Sequence, residues 1–172
     1  MGYEGALPQR RSIRLEDYDY SAGGCYFVTI CCHSRQRIWG SIDVTAETVI
    51  LSQRGEIAQR CLEEIPRKFA GASASLWMVM PDHIHAIIHI SQIPLNDAVG
   101  DNPASPSLSR IVGWYKSTVY RRCVTAGLWD GKRQGPMWQR SYYEHIIRGW
   151  ETHSMLAEYI LSNPARWIVA KK

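Results

Sequence analysis

The chain predicts an α+β fold, an antiparallel sheet with helices packed on one face. Three observations carry this reading. Runs of β-branched and aromatic residues are separated by short turn signals, as in hairpin-joined strands. Between them, apolar residues recur at helical spacing in separate windows. At 172 residues, 45% hydrophobic and 21% charged, the chain matches one globular domain spanning 1–172, with enough residues to bury a core. It has no internal repeat and no composition shift that would mark a domain boundary.

Taken in order, residues 1–20 are polar and charged, with Arg10, Arg11 and Arg14 followed by Glu16 to Tyr20, and read as an N-terminal arm. Gly23-Gly24 introduces Cys25 to Cys32, a strand by composition. Thr48 to Leu51 is a second, short strand. Ser52 is placed to cap a helix over Gln53 to Glu64, with Ile57, Ala58, Cys61, Leu62 and Ile65 as its apolar stripe and Pro66 as its end. The apolar run from Leu76 to Ile90 divides at Pro81-Asp82, because Pro81 cannot donate a ladder hydrogen bond. Residues 91–107 carry Pro94, Gly100, Pro103 and Pro106 and read as a mobile loop. A helix from Ser107 to Gly127 follows, then a basic turn at 131–136, a strand over Tyr142 to Ile147, and a last helix from Thr152 to Asn163 ended by Pro164.

Composition excludes several classes. No apolar run reaches the ~18 residues of a membrane span, and the N-terminus lacks a hydrophobic signal core. The expectation is a cytoplasmic protein with no membrane partner. Five cysteines without CxxC spacing read as buried or free thiols rather than a zinc site. The net charge of +4 conceals an asymmetry, since the segment from Arg110 to Arg148 is +6. There Lys116, Arg121, Arg140 and Arg148 are interleaved with Trp138, Tyr142 and Tyr143. That mixture suits a phosphate backbone with bases stacked on rings, although a solvated cationic face has the same composition. Arg11 and Arg14 in the arm join this candidate nucleic-acid-binding set.

Chemistry concentrates in His83-Ile84-His85. Residues two apart on a strand share a face, so both imidazoles point together while Ile84 turns to the core. Such a pair can hold one divalent ion and leave most of its coordination sphere open. His89 continues the alternation at the far end of the strand and reads as structural. On the final helix Tyr159 and Asn163 are four apart on one face, beside a docking stripe of Leu156 and Ile160. A phenol and an amide held over a metal would support phosphodiester cleavage by a tyrosine nucleophile. Tyr142 and Tyr143, next to His145, compete for that role, but strand aromatics are more often core or stacking platforms. Glu144 and His145 are left unassigned.

These residues carry a family resemblance. Met80-Pro-Asp-His-Ile-His85 resembles the HUH metal motif of single-strand DNA nucleases. Trp138-Gln-Arg-Ser-Tyr-Tyr-Glu-His-Ile-Ile-Arg148 and Tyr159-Ile-Leu-Ser-Asn-Pro164 resemble the single-tyrosine transposases, and within them the REP-associated tyrosine transposases. Arg11 to Tyr20 followed by Tyr26 to Cys31 resembles the opening of that group, so the likeness spans residues 10–167. The resemblance implies a ferredoxin-like fold with the histidine pair on a central strand. It further implies cleavage and rejoining of single-stranded DNA beside hairpins of extragenic palindromic repeats, with a 5′-phosphotyrosine intermediate. His83 and His85 would bind Mg²⁺ or Mn²⁺, Tyr159 would be the nucleophile, and Asn163 would occupy the third ligand position. Insertion-sequence relatives usually carry Gln there, and Asn reaches less far. Family practice leans toward a monomer rather than a homodimer. A catalytically silent hairpin-binding regulator is the alternative, disfavoured by retention of both histidines and Tyr159. An unrelated zinc hydrolase is weaker still, since no HExxH motif is present.

Overall fold

The computed structural model describes residues 23–91 and 106–170. The expected N-terminal arm with Arg11 and Arg14, and nearly all of the expected loop over 91–107, lie outside the described residues. Strand β1 (Gly24–Cys31) is followed by a 3₁₀ turn (His33–Arg35) and a small hairpin of β2 (Gly40–Asp43) and β3 (Thr48–Leu51). Helices α1 (Gln53–Glu63) and α2 (Ile65–Lys68) lead to β4 (Ala72–Val79) and β5 (His83–Ile90). Then come α3 (Leu108–Thr125), α4 (Gly131–Gln134), β6 (Tyr143–Ile147), α5 (Trp150–Leu161) and α6 (Asn163–Val169). No helix among the described residues is long and apolar enough to cross a membrane.

The main sheet runs β4-β5-β1-β6 with every neighbouring pair antiparallel. Setting aside the inserted β2–β3 hairpin, the order β1-α1-β4-β5-α3-β6 is the ferredoxin-like split βαβ arrangement. β1 and β5 are therefore central, and their register places Thr29 opposite His85 and Cys31 opposite His83.

Strand alternation sorts the two faces. Tyr26, Val28, Ile30, Ile84, Ala86 and Ile88 enter the main core with Ala58 and Leu62 of α1 and Ile111, Tyr115 and Val119 of α3. Each large apolar side chain buried there contributes roughly 1.5–3 kcal/mol. The buried Tyr115 hydroxyl donates to the Ala58 carbonyl at 3.1 Å, so the α1–α3 seam has a polar pin. Phe27, Ile87 and Ile147 point to the opposite face and pack with Ile160 of α5, with Leu156 and Tyr159 against them. The helices thus divide between faces, whereas the sequence reading put them on one. Periodicity identifies the apolar stripe of α5 but not the face it meets.

Local signals held where caps or turns were explicit. Ser52 accepts from Gly55 N at 3.2 Å and starts α1, and Ser107 accepts from Arg110 N and starts α3. Both prolines expected to end helices do more than that: Pro66 and Pro164 sit in the first turns of α2 and α6. Proline is tolerated there because its missing N–H would be unpaired anyway. The basic turn at 131–136 contains one helical turn, capped by Asp130, whose carboxylate accepts from Lys132 N. β2 was not anticipated; it is only Gly-Ser-Ile-Asp, and pairing with β3 creates it.

Two helical glycines give opposite expectations. A Cβ on Gly55 would lie 2.1 Å from the Trp39 carbonyl oxygen, whereas one on Gly113 would meet nothing within 4 Å. In urea unfolding, Gly113→Ala should stabilise by about 0.5–1 kcal/mol from helix propensity and reduced unfolded-state entropy. Gly55→Ala should destabilise by about 1–3 kcal/mol despite the same propensity gain, because backbone has to move. Equal effects of the two substitutions would contradict this packing of α1 on Trp39.

Candidate metal centre and cleft

Between the second face of the sheet and α5 lies a cleft of roughly 630 Å³, lined by Phe27, Thr29, Cys31, Arg35, His83, His85, Tyr143, His145, Leu156, Tyr159 and Asn163. The histidines come from the start of β5, immediately after the turn at Met80 to Asp82. That turn is stitched down by backbone bonds from Cys32 N to Asp82 O, from Trp39 N to Pro81 O and from Met80 N to His83 O, at 2.9–3.1 Å. The pair therefore starts from a fixed point on a central strand.

His83 and His85 are 7% and 4% exposed, and their Nε2 atoms are 3.0 Å apart. His83 Nδ1 donates to Asp82 Oδ1 at 2.5 Å. His85 Nδ1 is 2.9 Å from Thr29 Oγ1. With each Nδ1–H donating to its oxygen, both Nε2 lone pairs face one another, an assignment made from the hydrogen-bond network. Two lone pairs at that separation repel unless a cation lies between them. Ligands at ~2.1 Å and ~90° on an octahedral ion span about 3.0 Å, so the donor set fits a divalent metal. Asp82 and Thr29 are the outer partners that fix tautomer and ring orientation. Burial, reinforced by the neighbouring His83 ring and the Arg35 guanidinium, pushes the His85 pKa down to about 3; this keeps the ring neutral and available as a ligand.

Tyr159 sits on the last full turn of α5. Its ring is 5.3 Å from that of His85 and 6.0 Å from Phe27, both edge-on. Asn163 is 6% exposed and opens α6 rather than continuing α5; the break at Ser162 still leaves it lining the same cleft as Tyr159. All four residues singled out by sequence for chemistry are thus brought together.

Other cleft residues were missed or left unassigned. Thr29 carries no sequence signal, because its link to His85 depends on strand register. Arg35 lies 3.6 Å from Asp82 and is presented by a turn in which Ser34 and Arg35 have φ of 51° and 53°. Non-glycine residues held there cost on the order of 1 kcal/mol each, a strain that keeps a cation beside the histidines. Arg166 lies over the Tyr159 ring at 5.3 Å, and Arg37 over Trp167 at 5.7 Å. His145 lines the cleft from β6 beside Tyr143, whereas Glu144, paired with Val28, faces the other way.

The candidate DNA-binding residues scatter. Tyr143 is half exposed in the cleft, but Tyr142 turns toward the main core. Lys116 donates to the carbonyls of Gln139 and Ser141 at 2.9 and 3.0 Å, and burial lowers its pKa. Trp138 Nε1 returns a bond to the Lys116 carbonyl at 3.0 Å, and its ring packs 4.8 Å from Trp39. The Trp-Gln-Arg segment thus fastens β6 to α3. Arg122 is paired with Glu64 at 2.6 and 2.8 Å. Arg121, Arg140 and Arg148 are exposed. The +6 segment is therefore not one continuous cationic face.

The cleft's titration makes stability pH-dependent. His85 has a folded pKa of about 3 against an ordinary 6.5. Below pH ~6.5 the unfolded chain takes up a proton that the folded chain refuses, so stability falls as pH drops toward ~3, by at most about 1.4 kcal/mol per pH unit. Urea unfolding in EDTA across this range should show that decline, and His85→Gln should flatten it. An unchanged slope in His85→Gln would mean that the imidazole is freely protonated in the folded state.

No protein-family model matches the chain. An uncharacterized protein of Haemophilus influenzae is 33% identical over 175 residues, covering 96% of this chain and 93% of its own length. A second H. influenzae protein, assigned by name to the REP-associated tyrosine transposases, is 27% identical over 86% of this chain and 74% of its own. Among solved structures, a REP-associated tyrosine transposase bound to a REP hairpin superposes with a TM-score of 0.60 at 18% identity, covering 90% of this chain and 74% of that one. That likeness establishes the shared fold. The chain thus has the fold of a REP-associated tyrosine transposase and is similar in sequence, over most of its length, to a relative of that name.

Proposed function

We propose that the protein cleaves and rejoins single-stranded DNA beside repeat hairpins, with Tyr159 as nucleophile and with His83, His85 and Asn163 holding Mg²⁺ or Mn²⁺. The observation that carries this reading is the meeting, in one cleft, of a buried imidazole pair with converging Nε2 atoms and a tyrosine ring 5.3 Å from His85. A hairpin partner is supported by the sequence similarity to a REP-associated tyrosine transposase and by the shared fold with one whose solved structure holds a REP hairpin.

When bound, the ion supplies positive charge to non-bridging phosphoryl oxygens. The remaining work falls to the chain. Asp82 and Thr29 hold the histidines in the ligating tautomer. Arg35 and Arg166 add cationic charge near the histidines and the Tyr159 ring, where a phosphodiester has to enter. The Tyr159 oxygen bonds to phosphorus as the 3′-oxygen leaves. The proton lost by the phenol is matched by one gained at the released 3′-hydroxyl. One phosphodiester replaces another, so neither water nor ATP is consumed and the step reverses on rejoining.

A denaturing gel of labelled single-stranded repeat DNA tests the assignment. The wild-type chain should form a covalent adduct in Mn²⁺ and none in EDTA. Tyr159→Phe should reduce the adduct to background while leaving hairpin binding and thermal stability near wild type, and Tyr142→Phe and Tyr143→Phe should retain it. His83→Ala or His85→Ala should lose cleavage with hairpin binding largely intact, since phosphate and stacking contacts supply the affinity. Hairpin binding without any adduct from the wild-type chain would favour a silent regulator. An adduct persisting in Tyr159→Phe would move the nucleophile elsewhere.

Affinity is expected to depend steeply on salt. If several phosphates are contacted, raising salt from ~50 to ~200 mM should weaken hairpin binding by on the order of 10²-fold or more. A flat response in a filter-binding titration would point away from nucleic acid.

A further inference from the structure

At the opposite end of the same sheet face, about 20 Å along β5 from the His83 end at strand rise, three metal-donor side chains converge. Cys25 on β1 and His89 on β5 are directly paired across the two central strands. Their Sγ and Nε2 atoms are 3.7 Å apart. His153, in the first turns of α5, covers them, with its ring centroid 6.1 Å from that of His89. One ligand atom from each of the three lies within 4.8 Å of the others, and all three residues are partly exposed. Trp150 stacks on His153 at 5.7 Å and 10°, limiting the orientations of its ring.

We propose that Cys25, His89 and His153 form a second metal site, for zinc or a similarly thiophilic divalent ion, distinct from the His83–His85 centre. One thiolate and two imidazoles form a borderline-soft donor set that selects Zn²⁺ over the hard, oxygen-seeking Mg²⁺. The geometry is close to what zinc needs. With Zn–S near ~2.3 Å, Zn–N near ~2.05 Å and a tetrahedral angle, sulfur and nitrogen stand about 3.6 Å apart. His153 closes the triad by a small movement of α5 toward the strands.

The fourth position has a candidate in Ser75. It is the extra residue where the β4–β5 register shifts between Ala74 and Leu76. Such a bulge re-aims a side chain, and here Ser75 Oγ reaches His89 Nε2 at 2.9 Å. Metal uptake displaces that hydroxyl from the nitrogen and leaves it, or a water, at the open coordination position. The site joins three elements and clips the N-terminal part of α5 to the centre of the sheet. Tyr159 lies six residues further along that helix, so the clip also steadies the helix that carries it.

Metal content rather than DNA cleavage tests this. In a His83→Ala/His85→Ala background, which removes the first centre, the full chain loaded with zinc and freed of excess by gel filtration should retain about one ion per chain. Adding Cys25→Ser or His153→Ala should release it, and Cys31→Ser should not. Cobalt in place of zinc should give a thiolate charge-transfer band that disappears with Cys25→Ser. A second measurement needs no variant. In the wild-type chain, zinc should slow iodoacetamide alkylation of Cys25, mapped by mass spectrometry, by on the order of tenfold or more. Absence of retained zinc in the double-alanine background, retention unchanged by Cys25→Ser, or an unprotected Cys25 would each overturn the site and leave a hydrogen-bonded Cys–His–Ser cluster.

Discussion

The pleat of β5 is the constraint on which the rest depends. Because successive side chains must alternate, Ile84, Ala86, Ile88 and Ile90 are committed to the main core while His83, His85, Ile87 and His89 are committed to the opposite face. A slip of one residue would bury the imidazoles among the aliphatic side chains of α1 and α3 and expose four apolar ones. Hydrophobic burial on one face thus enforces the register that aims the histidines on the other. Central placement, with β1 and β4 on either side, leaves the strand no free edge along which to shift.

That face is then a compromise between packing and polarity. Phe27, Ile87, Leu156 and Ile160 supply the apolar contact that docks α5. The histidines within this contact are desolvated, which would be costly if either ring nitrogen were unpartnered. Asp82 and Thr29 take up the two Nδ1 positions, so the outstanding polar valence is gathered at one point, between the Nε2 atoms. The desolvation that keeps His85 neutral also leaves its Nε2 lone pair available to a cation.

Electrostatics is organised locally rather than by the charge-rich segment. Arg122 is spent on Glu64, whose carboxyl is held below its ordinary pKa by the guanidinium hydrogen bonds. Lys116 is spent on two loop carbonyls. Arg35 and Arg166, the cations beside the histidines and the Tyr159 ring, come from a strained turn and from the first turns of α6, both outside that segment of the chain.

The sequence by itself determined the elements whose signals are local: the strand at β1, the capped start of α1, the extent of α3, the break at Pro81-Asp82 and the common face of His83 and His85. Its motifs also carried the resemblance to the REP-associated tyrosine transposases and the pairing of Tyr159 with Asn163. Such features follow from side-chain period, caps and turn chemistry, which act over a few residues. Tertiary structure alone decided which face α5 covers, that Asn163 begins a new helix, that Thr29 and Asp82 orient the histidines, and that His145 faces the cleft. It also brought Cys25, His89 and His153 together, although by sequence the cysteine reads as a buried or free thiol and His89 as structural. These groups are separated by tens of residues and share no periodicity. They meet only because cross-strand register and the docking of one amphipathic helix fix distances that no local interaction encodes.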